Sequence, residues 1–527
     1  MNRLLVLAIA AVALTGCGNG GFSKRSSTAS AGTFRYTLSA APTTLDPAKV
    51  QDIDTTDLLA NVFEGLVSYD DKNHIVGQIA ESWKGTQGGK VWTFTLRPNV
   101  KFHNGRAVTA DDVKWSFERA CGDTLSSITA ANYLRDIVGA TEVTKGQAKQ
   151  ISGIKVIDPK TIEFTLDKPR AYFLGKLTYP CAFVVAKEAC GLNQINDVKA
   201  AVGTGPFRLT KFDVGQQAEL EANKDYYLGA PKLQRIIRPI VLDASTRMNM
   251  YKNGEIDMLT VQRQDLVAVE RDPKLKAELV YEPRPAVFYV GLNQLTYPPF
   301  RDARVRRAFA MAIDRTRICH DLLQGMPEAH GMIAPGIIGY REGYAGLPYD
   351  PAGARKLLAD AGYPNGKGLP PLQFVFRAST PDSQHVSEGV ESSLRQNLNF
   401  PLKMQSLEWG SFLDARNKGK LQSYFLSWYA DYLDPQNFLS FLLTSGSPQN
   451  RDGYRNPEFD RLCELGDTTV DEPTRLKYYQ QAEDVLIQDG GRVPIYFGRD
   501  AILVSPKVHG IRNNLFGQLP HTTVTVD

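Results

Sequence analysis

The N-terminal segment constrains this chain most, because it decides where the rest of the polypeptide folds. Arg3 is followed by an unbroken apolar run of eleven residues, from Leu4 to Leu14. Such a run is too short to span a bilayer as a helix, and it has the length of the apolar region of a secretory signal. We therefore predict that the chain is exported and folds in a compartment that permits disulfide bonds.

A lipid-attachment motif ends this segment at Leu14-Thr15-Gly16-Cys17. Small residues before a cysteine resemble the bacterial lipobox, in which the cysteine is acylated and becomes the first residue of the mature chain. Several acyl chains on one residue make membrane anchoring stable. We predict a lipoprotein signal peptide over residues 1–17 with lipid attachment at Cys17, and a flexible Gly/Ser-rich tether over residues 18–32. A plain secretory signal with an incidental cysteine is the alternative.

The length, charge and cysteine content of the remaining chain limit the classes of protein to which it can belong. Its 527 residues exceed what one hydrophobic core supports, so we expect at least two lobes. A net charge of +4 gives no reason to expect a nucleic acid partner. Besides Cys17 there are five cysteines, an odd number, and no CxxC pattern indicates a metal site. The pair nearest in sequence, Cys181 and Cys190, is the candidate disulfide.

Strand and helix patterns alternate along the chain without an internal repeat. Trp92-Thr93-Phe94-Thr95-Leu96 predicts a half-buried strand, and Thr109 with Asp112 predicts a capping box that opens a helix. Apolar spacing predicts further helices over residues 304–323, 351–361 and 473–486. In the first of these we expect Arg304, Arg306 and Arg307 on solvated faces. The mixture indicates an α/β protein with antiparallel additions.

Motifs of catalysis are missing from the sequence. It has no GxSxG elbow and no HExxH, and none of the seven histidines are spaced as a helical metal pair. We therefore predict a protein that is not an enzyme and needs no cofactor or metal. A secreted hydrolase on an α/β scaffold stays open as an alternative, because catalytic triads are defined by geometry.

Aromatic residues cluster around one carboxylate at Trp428-Tyr429-Ala430-Asp431-Tyr432. A carboxylate in such a setting meets a cation or stays solvated beside the rings. From the residues alone, Asp431 either faces a ligand or serves in a salt bridge or a surface turn.

An ordered set of segments along the mature chain resembles the peptide-binding family, family 5, of ABC-importer solute-binding lipoproteins, and most of all its oligopeptide-binding members. No single segment is specific to this family, but the order and spacing of the whole set are specific to it. The segments that carry the resemblance are Thr44 to Pro47, Ala80 to Trp83, Trp92 to Arg97, Phe102 to Gly105, Thr109 to Val113, Gly203 to Phe207, Gly254 to Asp257, Asn293, Pro299 to Arg306, Ala312 to Arg315, Ala354 to Gly362, Trp428 to Tyr432 and Asp434-Pro435.

The resemblance implies an α/β fold of the periplasmic-binding-protein type: type II, three-lobed, cluster C. Lobe I comprises residues 33–63, 186–287 and 497–527, lobe II residues 64–185, and lobe III residues 288–496. A hinge connects the two main lobes, and the ligand is enclosed between lobes I and III.

The resemblance also implies the site. Asp431 is expected to bind the α-ammonium of a peptide, Trp428 to wall a side-chain pocket, and the backbone near Ile53, Tyr429 and Ala430 to pair with the ligand main chain. Arg416 lies where some relatives place an arginine near the ligand carboxylate, and His385 near a position where they use histidine. The chain departs from those relatives at Phe425 and Gln51. The resemblance therefore does not define how the carboxyl end of the ligand is bound, or how long the ligand is.

The expected function is that of the extracytoplasmic substrate-binding component of an ABC transporter, which captures oligopeptides and delivers them to membrane permease subunits. We expect a monomer on the periplasmic or outer side of a bacterial membrane, held through the lipid on Cys17. The alternative ligands within the family are an oligosaccharide, haem or a nickel chelate.

Overall fold

The computed structural model describes residues 32–378 and 381–527. The predicted signal peptide, Cys17 and nearly all of the predicted tether lie outside these residues.

Short strands and helices alternate through the described chain, as the sequence patterns predict. The strands are β1 (Thr33–Arg35), β2 (Val67–Tyr69), β3 (Ile75–Gly77), β4 (Ala80–Thr86), β5 (Val91–Leu96), β6 (Ile154–Asp158), β7 (Thr161–Thr165), β8 (Phe207–Asp213), β9 (Gln217–Ala222), β10 (Arg235–Pro239), β11 (Met258–Thr260), β12 (Leu279–Leu292), β13 (Gln373–Arg377), β14 (Lys403–Leu407), β15 (Ser423–Tyr429), β16 (Val493–Val504), β17 (Val508–His509), β18 (Asn513–Asn514), β19 (Gly517–Gln518) and β20 (Thr525–Val526). The helices are α1 (Ile53–Leu59), α2 (Ala110–Cys121), α3 (Ile128–Tyr133), α4 (Ala140–Thr144), α5 (Phe173–Lys176), α6 (Lys187–Cys190), α7 (Ala244–Lys252), α8 (Arg263–Arg271), α9 (Pro273–Glu278), α10 (Ala303–Ala312), α11 (Pro351–Asp360), α12 (Pro381–Leu398), α13 (Trp409–Asn417), α14 (Pro435–Phe438), α15 (Ser440–Leu443), α16 (Pro457–Thr468) and α17 (Glu472–Gln488).

Three larger sheets organise these elements. Their strand orders are β1-β10-β9-β8, β4-β5-β7-β6 and β11-β16-β12-β15-β13-β14. In the six-stranded sheet, β12 runs antiparallel to both β15 and β16, whereas β13 runs parallel to β15 and β14. The sheet is therefore mixed, with long antiparallel strands at its centre.

Besides a smaller cluster with members between residues 248 and 275 and at residues 501 and 503, three apolar clusters accompany the three sheets. Apart from Ala48 and Tyr432, the buried members of one lie between residues 66 and 186. Apart from Tyr69 and Leu515, those of the largest lie between residues 287 and 497. The third takes its members from residues 34–63, 183–258 and 502–526. These sets lie close to the predicted lobe boundaries, which stay a prediction, because residues 32–527 pack as one continuous unit.

Local sequence signals explain several element ends. In α2, Thr109 donates its backbone N–H to Asp112, and the complete capping box is present, as predicted. The alternating run at residues 92–96 lies within β5. The predicted single helix over residues 304–323 is wrong: α10 ends at Ala312, and Ile313 is extended. The Asp314 carboxylate then accepts the backbone N–H of Arg317 at 2.9 Å and starts a separate π-helical segment.

Two further expectations fail for reasons of packing. Arg306 is buried rather than solvated, since its guanidinium pairs with Asp489 at 2.8 Å. The Cys181–Cys190 disulfide is also wrong, because all five cysteines of the described residues are buried free thiols. Cys181 packs in the cluster of residues 66–186, whereas Cys190 packs in that of residues 34–63, 183–258 and 502–526. The two thiols thus face different cores.

No helix in the described part of the chain combines the length and the apolar character that crossing a bilayer requires.

Candidate ligand-binding site

The segment from Trp428 to Asp431 lies where strand β15 leaves its sheet. Trp428 pairs with Val287 and Tyr429 with Ala286 in the antiparallel ladder with β12. One residue later the Ala430 N–H still donates to the carbonyl of Pro285 at 2.8 Å. The backbone is therefore held by the ladder up to the residue before Asp431.

Asn437 holds the two side chains of this segment that were predicted to contact a ligand. Its Oδ1 accepts the indole N–H of Trp428 at 2.8 Å and the backbone N–H of Asp431 at 3.1 Å. Its Nδ2 donates to Asp431 Oδ2 at 3.3 Å. One fully buried amide thus fixes both the indole and the carboxylate.

A buried ion pair supports the short helix that carries Asn437. Asp434 caps α14 by accepting the backbone N–H of Gln436 at 2.9 Å. The same carboxylate pairs with Arg475 of α17, and both side chains are buried. Helix α14 is therefore anchored to α17 rather than free to move with the loop before it.

The Asp431 carboxyl has an unusual electrostatic setting. Burial raises its pKa to about 6, although hydrogen bonds with Tyr133 and Asn437 act in the opposite direction. The residue as a whole is half-buried. No lysine, arginine or histidine within the described ranges pairs with it. Asp431 is thus a carboxylate with neutral partners and no counter-cation.

Aromatic rings surround this carboxylate on the side of residues 64–185. The Tyr133 and Tyr179 rings stack with their centroids 4.3 Å apart. Phe441 contacts the Tyr133 ring at 6.3 Å and the Trp428 indole at 5.7 Å. Tyr432, next in sequence, packs into the cluster of residues 66–186. The site therefore joins two of the predicted lobes, II and III.

A cavity of about 460 Å³ lies beside the end of β15. Residues from two predicted lobes line it: Thr260 to Gln264, Leu266 and Gly498 to Ala501 from lobe I, and Phe425 to Ser427, Tyr429 and Tyr496 from lobe III. Its aromatic wall includes Phe288 and Tyr496, whose rings stack at 4.2 Å. The cavity lies where the resemblance expects a ligand, between lobes I and III.

Unpaired positive charge lies in this cavity. Among its lining residues, Arg263 pairs with Asp382 at 2.7 Å, and Asp500 pairs with Arg284 at 2.6 Å. Arg377 and Arg499 also line the cavity, and neither is ion-paired with a carboxylate of the described residues. The Arg377 guanidinium lies over the Trp409 ring at 5.0 Å, and its buried Nε lacks a hydrogen-bond partner among the described residues. The cavity therefore favours an anionic group.

The predicted site residues fall into separate places. Tyr429 and His385 line the cavity, whereas Trp428, Ala430 and Asp431 lie at the adjoining end of β15. Ile53 is the first residue of α1, and 62% of it is exposed. Arg416 is buried and donates to the side chain and the carbonyl of Gln449 at 3.1 and 3.2 Å. Arg416 is not among the residues that line the cavity.

Sequence reasoning missed Asn437, Tyr133 and Arg377. Asn437 follows Asp434-Pro435, one of the segments that carry the family resemblance, by two residues, and an aspartate followed by proline is typical of a helix start. Tyr133 and Arg377 carry no signal, because their partners are distant in sequence. Among the described residues no group of three or more His, Cys, Asp or Glu side chains is arranged to hold a metal ion.

Comparison with known proteins gives one family. Residues 74–450 match the family model described as bacterial extracellular solute-binding proteins, family 5 middle. The periplasmic oligopeptide-binding protein OppA of Escherichia coli is 32% identical over 88% of this chain and 87% of its own length. Heme-binding protein A of Haemophilus influenzae is 28% identical over 100% of this chain and 99% of its own length. Among solved structures, the unliganded open form of the murein tripeptide-binding protein MppA has a TM-score of 0.81 and 26% identity, covering 94% of this chain and 97% of that one. The predicted α/β fold of periplasmic-binding-protein type is confirmed.

Proposed function

This chain belongs to family 5 of the bacterial extracellular solute-binding proteins, and from that premise we propose that it captures oligopeptides and delivers them to an ABC-type importer. Among the proteins compared, OppA is named for oligopeptide binding and MppA for a murein tripeptide. The ligands in these names suggest the class of solute for this chain.

The observation that carries the proposal is the unpaired carboxylate of Asp431. A buried carboxylate with only neutral hydrogen-bond partners is costly to ionise, which is why its pKa is raised. A ligand ammonium group supplies the missing countercharge. An enclosed pair of opposite charges that is broken on one side loses about 3–5 kcal/mol, or roughly two to four decades of affinity. The α-ammonium of a peptide is such a group.

Main-chain pairing accounts for the rest of a peptide's affinity. The backbone of Tyr429 and Ala430 continues from β15, and the exposed N-terminus of α1 offers Ile53 as a second partner. Hydrogen bonds to the ligand backbone bind a peptide without reading its side chains. The Trp428 indole walls the pocket for one ligand side chain.

Arg377 and Arg499 are the best-placed groups for the carboxyl end. The parallel register sets Phe374 beside Ser423 and Val375 beside Tyr424, so its continuation places Arg377 beside Leu426. Asp431 follows Leu426 by five positions, which spans at most ~17 Å of extended chain. An extended peptide rises about 3.3 Å per residue. A ligand held at both ends would therefore have about three to five residues.

Calorimetric titration with alanine peptides of two to seven residues tests the proposal. We expect binding of free peptides and little binding of their N-acetylated forms, with the best affinity at three to five residues. Failure of every free peptide to bind would contradict the proposed ligand class.

Haem is the second candidate, because one observation favours it. The cavity combines a stacked aromatic wall with two unpaired arginines, and His385 lies in the same lining. A planar, aromatic dianion fits such a lining, and one relative is named a heme-binding protein. Titration with haem, followed by its Soret absorbance and repeated after saturation with tetra-alanine, separates the two ligands.

The membrane anchor forms part of the same proposal. We propose that Cys17 carries the lipid that keeps the receptor beside its importer. Metabolic labelling with a fatty acid should mark the parent chain but not Cys17→Ser. The variant should move from the membrane fraction to the aqueous fraction, and an unchanged distribution of both would refute the anchor.

A further inference from the structure

Asn437 makes hydrogen bonds to both of the ligand-facing side chains at the end of β15, Trp428 and Asp431. We propose that Asn437 is the positioning residue of the amine site, acting through Trp428 and Asp431 rather than by contact with the ligand. This inference rests on the proposed function, because it deepens the role given there to Asp431.

The orientation of the Asn437 amide follows from its partners. An indole N–H and a backbone N–H can only donate. The atom that both approach, at 2.8 and 3.1 Å, must therefore be the amide oxygen. The amide nitrogen then faces Asp431 Oδ2 at 3.3 Å and donates to it. The hydrogen bonds thus fix the amide without ambiguity.

The chemistry of an amide suits this position. Asn437 orients the Asp431 carboxylate without cancelling its charge, whereas a lysine or arginine there would neutralise it before a ligand arrived. Tyr133 supplies the other side-chain hydrogen bond and is likewise neutral. The full negative charge of Asp431 therefore remains for the ligand ammonium.

The support behind Asn437 makes the arrangement rigid. The side chain is fully buried, and its helix α14 is tied to α17 through Asp434 and Arg475. A ligand that meets groups already in place loses less entropy on binding. Removing the amide would free the indole and leave the carboxylate with Tyr133 as its one side-chain hydrogen-bond partner among the described residues.

Binding of tetra-alanine and of its N-acetylated form to Asn437→Ala tests this role. We expect the affinity for tetra-alanine to fall at least tenfold and any residual affinity for the acetylated peptide to stay unchanged. Asn293→Ala is the matched control. Asn293 is equally buried and also makes three side-chain hydrogen bonds with backbone groups, away from the site. It should lose stability but keep its affinity.

A ligand-free measurement separates this inference from the proposed function. The chain has five tryptophans, so 5-fluorotryptophan gives five ¹⁹F signals, and Trp428→Phe identifies the one from Trp428. In Asn437→Ala that signal should move and broaden, and in Asn293→Ala it should not. If the parent chain binds no peptide, the proposed function fails, while the ¹⁹F result still decides whether Asn437 positions Trp428.

The variant Asn437→Asp distinguishes a positioning role of Asn437 from a purely structural role. An aspartate accepts the same two N–H groups, so the Trp428 signal should stay in place. It also sets a second carboxylate beside Asp431, and like charges raise the pKa of the pair. We expect the pH midpoint of tetra-alanine binding to rise by about one unit or more. An unchanged midpoint, or full affinity in Asn437→Ala, would overturn the proposal.

Discussion

Asp431 combines two properties: it is largely enclosed by protein, and it has no ionic partner among the described residues. If Asp431 binds the ligand ammonium as proposed, its pKa of about 6 makes ligand binding sensitive to pH near neutrality. A peptide α-ammonium, with a pKa of about 8, stays charged throughout that range. The carboxyl group alone therefore sets the pH dependence.

We predict that the affinity for tetra-alanine falls about tenfold from pH 7 to pH 5, because a group with a pKa near 6 is then mostly protonated. In the ligand-free protein the sign is opposite. The raised pKa means that stability is lost as pH rises from about 4 to 6, so Asp431→Asn should be the more stable form above pH 6. Calorimetry and urea unfolding at both pH values measure the two effects.

Asp467 provides the control for this prediction. It is buried, its pKa is also raised to about 6, and it accepts hydrogen bonds from Ser440 and Tyr479 at 2.7 Å. It lines a separate cavity of about 310 Å³. Asp467→Asn should remove the contribution of Asp467 to the pH dependence of stability and leave the pH dependence of affinity unchanged. If both variants abolish the pH dependence of affinity, Asp431 is not its source.

A second residue-scale prediction distinguishes two arginines. Arg377→Met should weaken tetra-alanine binding by about 1.5–3 kcal/mol, typical of a hydrogen bond to a charged group, and should not weaken binding of the C-terminal amide. Arg416→Met should affect stability instead, because Arg416 is buried against Gln449 outside the cavity lining. If Arg416→Met weakened tetra-alanine binding and Arg377→Met did not, Arg416 would be the group that binds the ligand carboxylate, as the family resemblance implies.

At the scale of elements, strand β15 places the site, and its packing against β12 leaves no spare volume. Gly291 of β12 lies opposite Tyr424 of β15. A methyl group at Gly291 would come within 2.4 Å of the Tyr424 ring, whose hydroxyl is held by Asp452. The ring has no room to retreat, because it is fully buried.

Gly291→Ala should therefore destabilise the protein by about 1–3 kcal/mol, the usual cost of overpacking a core. Gly410→Ala serves as the control, since nothing lies within 4 Å of its added methyl group at the start of α13. That change should be neutral or stabilise by about 0.4–1 kcal/mol. Urea unfolding of the two variants measures the difference, and equal stabilities would show that β15 can shift.

On the scale of the whole molecule, the cavity lies between residues that belong to different predicted lobes. Ligand binding across such a gap couples affinity to stability. With tetra-alanine at 100 times its dissociation constant, the folded state should gain about 2.7 kcal/mol, seen as a higher Tm. If a hinge closes around the ligand, the radius of gyration from X-ray scattering should fall as well. A rise in Tm without a change in radius would indicate a ligand bound without closure.

The sequence by itself determined the elements whose causes are local. Alternation at residues 92–96, the capping box at Thr109 and the proline-led helices at residues 351 and 472–473 all appear as predicted. The ordered family segments also predicted the fold and the family, because their residues and spacing are properties of the chain itself.

Tertiary structure alone decided which polar groups share a place. Burial among protein that lies far away in sequence raises the pKa of Asp431, and the hydrogen bond with the equally distant Tyr133 opposes that rise. Arg306 is buried because Asp489 lies beside it. Arg377 rather than Arg416 lines the cavity, although both are arginines near strands of one sheet. The burial, charge pairing and orientation of a side chain depend on neighbours that packing brings together from distant parts of the sequence. Local sequence patterns do not predict which residues those neighbours are.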